Sequence, residues 1–355
     1  MAPVDLDAPA SYRAVDRSGM IDRILETDRQ VEDAWRLVQA FDPPPGYGAA
    51  RDIVILGLGG SAIGGDLVRT LVEGEAGLPI TVVRDYRPPA FVDDDTLVVA
   101  SSYSGNTEET IEATEAALRD RARVIAVTTG GKLADLARQR GFPLLRFQYE
   151  AQPRAALGYS FILILGLLQR LGYVADKSRD LQDALTVLRE QLRLLGPDTP
   201  TIENPAKQLA RELHGKVAVV YGGGVLAEVA RRWKGQLNEN SKTWAFFEQF
   251  PELNHNAVMG YQFPETTRDR IMVVMLASAF NHPRVGLRYE ITAEVLRQHG
   301  VPFHVVEAVG ATPLGHMWSA IVYGDLVSYY LALLNGVDPS AIDAINYLKA
   351  RLSQA

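Results

Sequence analysis

The feature that most constrains this chain is a continuous apolar run, residues 53–56, that ends in glycines and opens straight into a helical pattern. A run without polar alternation suits a parallel strand covered on both faces, since a half-exposed strand would alternate. The helical segment that follows carries Ile63, Leu67, Val68 and Leu71 on one side. Strand-like residues 80–83, 96–100 and 124–128 come next, with a helix at 108–118. Alternation of this kind argues for a doubly wound parallel sheet.

The pattern then begins again. Residues 217–221 form a second apolar run closed by Gly222, Gly223 and Gly224, with a helical stretch at 226–237 behind it. Later strands are expected at 271–277 and 303–307, with a helix at 291–298 between them. The expected fold is therefore α/β: two doubly wound, flavodoxin-like parallel-sheet domains with helices at both chain ends. Residues 1–50 read as a helical segment with a stripe of Ile21, Ile24, Val31, Trp35 and Val38, ended by Asp42 and three prolines. The first sheet domain is placed at 51–196 and the second at 202–335, with a linker-like stretch of Gly, Pro and Thr at 196–201. A last helix is expected over 338–355, because Asp338 followed by Pro339 is a helix-start signal.

Length and charge narrow the classes. The 355 residues can bury two real cores, and a net charge of −7 offers no basic surface for nucleic acid. There is no cysteine, which removes disulfides, thiolate metal sites and thiol nucleophiles and fits an intracellular protein. The acidic start lacks the order of a signal peptide. The apolar stretch at 157–168 is broken by glycine and serine and falls short of the roughly 20 residues of a membrane span. A cytoplasmic protein without a membrane partner is the expectation.

Two loops carry the chemistry. Gly57, Gly59, Gly60 and Ser61 lie between a strand and a helix, where glycines allow close backbone approach and the helix start attracts anions. Gly57, Gly59 and Ala62 also fit a dinucleotide fingerprint, with Asp85 as a distant ribose partner, or a plain tight turn. No Gly-Lys-Ser/Thr follows, so this is not a nucleotide-triphosphate loop. The second loop decides between them. Ser102, Ser104, Gly105 and Thr107 again end a strand and open a helix. A dinucleotide fold needs no such hydroxyl cluster there, whereas a phosphomonoester, all acceptors, requires several donors. Capping of the next helix accounts for Thr107 alone.

These loops, followed by Pro153-Arg154-Ala155, Asn238-Glu239-Asn240-Ser241-Lys242 and Glu252-Leu253-Asn254-His255-Asn256, resemble the bifunctional phosphoglucose/phosphomannose isomerases. The resemblance runs from Asp52 to Lys349 and leaves out the first fifty residues. It implies two sugar-isomerase (SIS) domains, a homodimer, and aldose–ketose isomerisation of hexose 6-phosphates through a cis-enediolate. It also implies that Gly59, Gly60, Ser61, Ser102, Ser104 and Thr107 bind the substrate phosphate.

The same resemblance makes Glu239 the base, a carboxylate ionised at neutral pH and a stronger base when desolvated. Arg154, rigid behind Pro153 and beside the most apolar helix, would stabilise the enediolate. His255 would open the sugar ring from the partner subunit, with Trp244, Phe246, Phe247 and Phe250 at the dimer contact. Lys349, in an apolar stripe with Ile342, Ile345 and Leu352, would be the ring-opening lysine of the last helix; by itself such a lysine snorkels outward. His316 competes with His255. No cofactor is expected, and no metal, because the six histidines are scattered without ligand spacing. Two other classes remain open from the residues: a non-enzymatic sugar-phosphate sensor of SIS type, which needs the loops but not Glu239, Arg154 and His255 together, and a nicotinamide oxidoreductase built on the first loop.

Overall fold

The computed structural model describes residues 4–352 and 354, and the chain divides into two compact units. The first comprises residues 26–186 with 312–315, and the second comprises 1–25, 187–311 and 316–355. The opening fifty residues are thus shared out. Helix α1 (Met20–Leu25) belongs to the second unit, where the Asp16 carboxylate accepts the amides of Met20 and Ile21 and the Tyr329 hydroxyl. Helix α2 (Thr27–Gln39) belongs to the first.

In the first unit the order is β1 (Asp52–Leu56), α3 (Gly60–Val72), β2 (Ile80–Val83), β3 (Thr96–Ser101), α4 (Glu108–Arg119), β4 (Arg123–Thr128), α5 (Gly131–Arg140), β5 (Leu144–Arg146) and α6 (Leu157–Arg170). The strands pair in parallel in the order β2-β1-β3-β4-β5, the flavodoxin-like arrangement. Alternate residues Val54, Leu56, Val98, Ala100, Val124 and Ala126 share a core with α4 and α5. The strands β1 and β3 are buried on both sides, which is why their sequences carry no alternation. Helix α2 lies close along α6 because α6 offers glycines there: a Cβ on Gly158 would fall 2.5 Å from Gln30, and one on Gly166 2.2 Å from Val38. Periodicity does not announce β5, which is only three residues long.

Helix α7 (Ser178–Leu194) crosses from the first unit into the second. There follow α8 (Pro205–Leu213), β6 (Val217–Gly223), α9 (Ala227–Glu239), β7 (Ala245–Phe250), β8 (Ile271–Ala277), α10 (Pro283–Gln298), β9 (Phe303–Glu307), α11 (Pro313–Asn335) and α12 (Asp343–Leu352). The second sheet is parallel in the order β7-β6-β8-β9, repeating the first without its outer strand. By length and composition α11 could cross a membrane, but 89% of its most apolar window is buried inside the protein. It is a core helix.

Two local readings change. The stretch 196–201 is not a slack linker: the buried Lys207 ammonium donates to the carbonyls of Pro197 (2.7 Å) and Thr199 (2.8 Å), and Asn204 donates to Gly196. Desolvation pulls the Lys207 pKa below its usual value, opposed by the nearby Asp7 carboxylate. The last helix begins at Asp343, not Asp338. The Asp338 carboxylate instead accepts the Ser340 amide at 2.8 Å, and that local bond closes a turn before the helix.

Candidate functional site

The two glycine-and-hydroxyl loops of the first unit are bonded to each other. Ser61, in the first turn of α3, accepts the Tyr103 amide at 3.0 Å. Ser102 accepts the Gly105 amide at 3.1 Å, and Ser104 accepts that of Asn106 at 3.2 Å. Each hydroxyl therefore spends its acceptor side on the backbone. Among the described residues no acceptor takes the proton of Ser61 or Ser104, so both present donors, the polarity an all-acceptor anion requires.

Thr107 stands at the N-cap position of α4, yet its side chain caps nothing; its hydroxyl lies 2.9 Å from that of Ser102. The capping reading of Thr107 is thereby corrected, and the residue joins the hydroxyl cluster. Gly105 has φ +66°, and a Cβ there would fall 1.8 Å from the Gly130 carbonyl, so no side chain fits where this loop meets the next.

Arg154 sits in the 3-10 turn Pro153–Ala155 and is only 3% exposed. Its backbone lies against the first loop: a Cβ on Gly60 would come within 2.8 Å of the Pro153 carbonyl and 3.1 Å of the Arg154 nitrogen. Gln30 of α2 steadies the turn by donating to Ala155 at 2.9 Å. Behind it, Phe147 stacks on Tyr159 at 4.9 Å. Burial, then the Asp33 carboxylate, pushes the Tyr159 phenol up to about 12, so this wall stays neutral. The structure thus brings Gly60, Ser61, the hydroxyl loop and the Arg154 turn together in one unit.

In the second unit Glu239 is the last residue of α9 and is half-buried. A polar ladder fixes this helix to α11. The buried Arg232 meets both oxygens of Asp325 at 2.7 and 2.9 Å, and Gln236 donates to the same carboxylate at 2.8 Å. Asn240 donates to Ser328, and Asn335 donates to the Ser241 carbonyl. Trp233 bonds to Ala320 and presses on Gly324, where a Cβ would fall 2.4 Å away. Lys242 then closes the helix end through the carbonyls of Glu239 and Asp338.

His255 ends the 3-10 turn Glu252–His255 and is exposed. Its neighbour Leu253 is fully buried with Tyr221, Phe250 and Tyr289, and Asn254 bonds Thr292 of α10. That is the α10 face of the sheet. Helix α9 covers the opposite face, where a Cβ on Gly222 would meet Ala230 at 2.8 Å. Glu239 and His255 of one chain therefore lie on opposite faces of the second sheet. Lys349 lies exposed on α12, which buries none of its residues, and Ile345, Leu348 and Leu352 are exposed with it. His316 is buried, with its ring nitrogens 3.0 Å from Ser278 and 3.1 Å from the Gly310 carbonyl, so it serves the fold of this unit. The aromatic run proves to be edge strand β7 and the residue before it: Trp244 and Phe246 are 72% and 46% exposed, while Phe250 is buried in the core.

Sequence reasoning passed over Tyr103, Gln30 and Asp325, which act through what they hold; only their polar character within apolar or loop surroundings marked them. Among the described residues no three His, Asp or Glu side chains gather as metal ligands.

Comparison with known proteins agrees with this geometry. The family model for the bacterial phospho-glucose isomerase C-terminal SIS domain matches residues 202–352. The chain is 38% identical to a bifunctional phosphoglucose/phosphomannose isomerase of Caldicellulosiruptor bescii over 94% of its own length and 99% of that protein. It is 34% identical to the protein of the same name from Aquifex aeolicus, covering 91% and 99%. A crystal structure of a hypothetical protein from Thermus thermophilus shares the fold, with a TM-score of 0.76 at 18% identity over 98% of this chain and 93% of that one. With identity sustained over nearly the whole chain, this protein belongs to the bifunctional phosphoglucose/phosphomannose isomerase family.

Proposed function

We propose that this chain is a metal-independent aldose–ketose isomerase that interconverts glucose 6-phosphate and mannose 6-phosphate with fructose 6-phosphate, as a cytoplasmic homodimer. The observation that carries the reading is the pair of joined hydroxyl loops with the Arg154 turn packed against the first of them. Gly59, Gly60, Ser61, Ser102, Ser104 and Thr107 hold the phosphate and leave the sugar carbons free to react. His255 and Lys349 assist ring opening by moving the proton between the ring oxygen and O1.

Glu239 takes the proton from C2 of the open-chain aldose as the C2–H electrons form the C1–C2 double bond and O1 gains charge. The hydroxyl proton passes from O2 to O1, Glu239 returns its proton to C1, and C2 becomes the ketone. The Arg154 guanidinium counters the enediolate charge, a contribution of about 3 kcal/mol or more for a fixed group of this kind. Since C2 is planar in that intermediate, the glucose and mannose epimers converge on one ketose.

The placement of Glu239 and His255 on opposite sheet faces supports a site completed by His255 of a second copy. The exposed Trp244 and Phe246, and the uncovered apolar side of α12, give that copy surface to bury. The lack of cysteine supports the cytoplasm.

The test is turnover of both aldose 6-phosphates with a chelator present, beside the Glu239→Gln variant. The wild-type chain is expected to convert both substrates. The variant is expected to lose isomerisation by about a thousand-fold or more while still binding fructose 6-phosphate. Normal turnover in the variant would refute the base, and no turnover of either substrate by the wild type would refute the isomerase.

A further inference from the structure

Tyr103 stands between the two serines of the hydroxyl loop, and its polar groups reach three other segments of the first unit. Its amide donates to Ser61 in the first turn of α3. Its carbonyl accepts the Thr129 hydroxyl at 2.7 Å and the Thr129 amide at 3.1 Å, in the loop after β4. Its phenol donates to the Tyr149 carbonyl and accepts the Ala151 amide at 2.9 Å, in the segment that leads into Pro153 and Arg154. The ring meets the edge of Phe147 at 6.0 Å.

We propose that Tyr103 is a positioning residue for Arg154: its phenol ties segment 149–151 to the phosphate loop and so fixes the turn that carries the guanidinium. The proposal rests on the isomerase reading above. With its proton given to Tyr149 and its oxygen taken by Ala151, the phenol has no part in the proton transfers; it acts through the backbone it holds. Gln30 holds the same segment from the α2 side, donating to Ala155 and to the Tyr149 hydroxyl, which in turn donates to Glu26 at 3.1 Å. Tyr103 is the tie on the phosphate side. A guanidinium that must meet a developing charge gains most when its carrier does not drift, because small misplacements are costly in rate.

The experiment compares wild type, Tyr103→Phe, Arg154→Ala and the double variant in the full chain. The phenylalanine keeps the ring against Phe147 and removes only the hydroxyl. Tyr103→Phe is expected to lower kcat about ten-fold, while inhibition by inorganic phosphate changes less than about two-fold because the loop donors remain. In the Arg154→Ala background the same change is expected to leave kcat unaltered, since the group it positions is gone. Hydrogen exchange at Ala151 is expected to accelerate in Tyr103→Phe, a readout independent of turnover. An equal fall of kcat in both backgrounds, a phosphate affinity that drops in step with kcat, or unchanged exchange at Ala151 would overturn the proposal. A wild-type chain with no hexose 6-phosphate turnover would instead refute the isomerase reading, and the exchange result would still judge the tie.

Discussion

A serine hydroxyl can donate to a phosphate only if its oxygen is already satisfied or free to turn. Ser61 and Ser104 meet that condition by accepting backbone amides, so their donor character is set by the loops that hold them. Sequence shows that hydroxyls are present; it does not show which way they point. Gly60 makes the same case from the opposite side. Any side chain there would strike backbone atoms of Pro153 and Arg154, neither of which can swing aside. Gly60→Ala is therefore expected to push the Arg154 turn off the loop and lower kcat/KM about a hundred-fold, by the rate cost of a small misplacement. Steady-state kinetics with fructose 6-phosphate check it, and a thermal midpoint close to wild type would show that the fold survives.

At the scale of elements, α9 and α11 form the mount for Glu239. Negative charge at a helix C-terminus gains nothing from the helix dipole, so the dipole does not account for a glutamate at this position. The mount is held by a buried ion pair, Arg232 with Asp325, whose side chains are 3% and 8% exposed. Removing one partner strands the other charge in the interior. Asp325→Ala is expected to cost about 3–5 kcal/mol and to lower the thermal midpoint accordingly, and kcat should fall as the helix end loosens. Of the two helices only α9 was legible, from its amphipathic pattern at 226–237; α11 is apolar nearly all round and so carries no face to read. Strand β7 was hidden for a related reason: Trp244, Phe246 and Phe250 read as an interface, whereas Phe250 is buried in the core and Phe246 stands exposed on an edge strand.

For the whole molecule the decisive arrangement is the second sheet standing between α9 and the His255 turn. If each site takes Glu239 from one chain and His255 from its partner, two dead variants can rescue one another. Mixing Glu239→Gln with His255→Ala and allowing the chains to exchange is expected to restore up to about a quarter of wild-type activity, because half of the dimers are mixed and one of their two symmetric sites is intact. Activity that stays at the level of the unmixed variants would rule out the shared site.

The sequence by itself determined the class of each unit and the order of most of its strands, though not β5, β7 or the helix α11. Continuous apolar runs closed by glycines suit buried parallel strands, and a glycine turn followed by a hydroxyl-rich one at strand ends points to an anion; both readings follow from local chemistry that needs no neighbours. Only the tertiary structure decided which hydroxyls accept backbone amides, that Thr107 serves Ser102 and not the helix start, that Asp338 closes a turn, and that Glu239 and His255 sit on opposite sides of one sheet. The Ser61 donor and the mount of Glu239 depend on contacts between residues far apart in the chain, Ser61 with Tyr103 and Arg232 with Asp325, while the Thr107 and Asp338 bonds are local choices among several that the sequence allows.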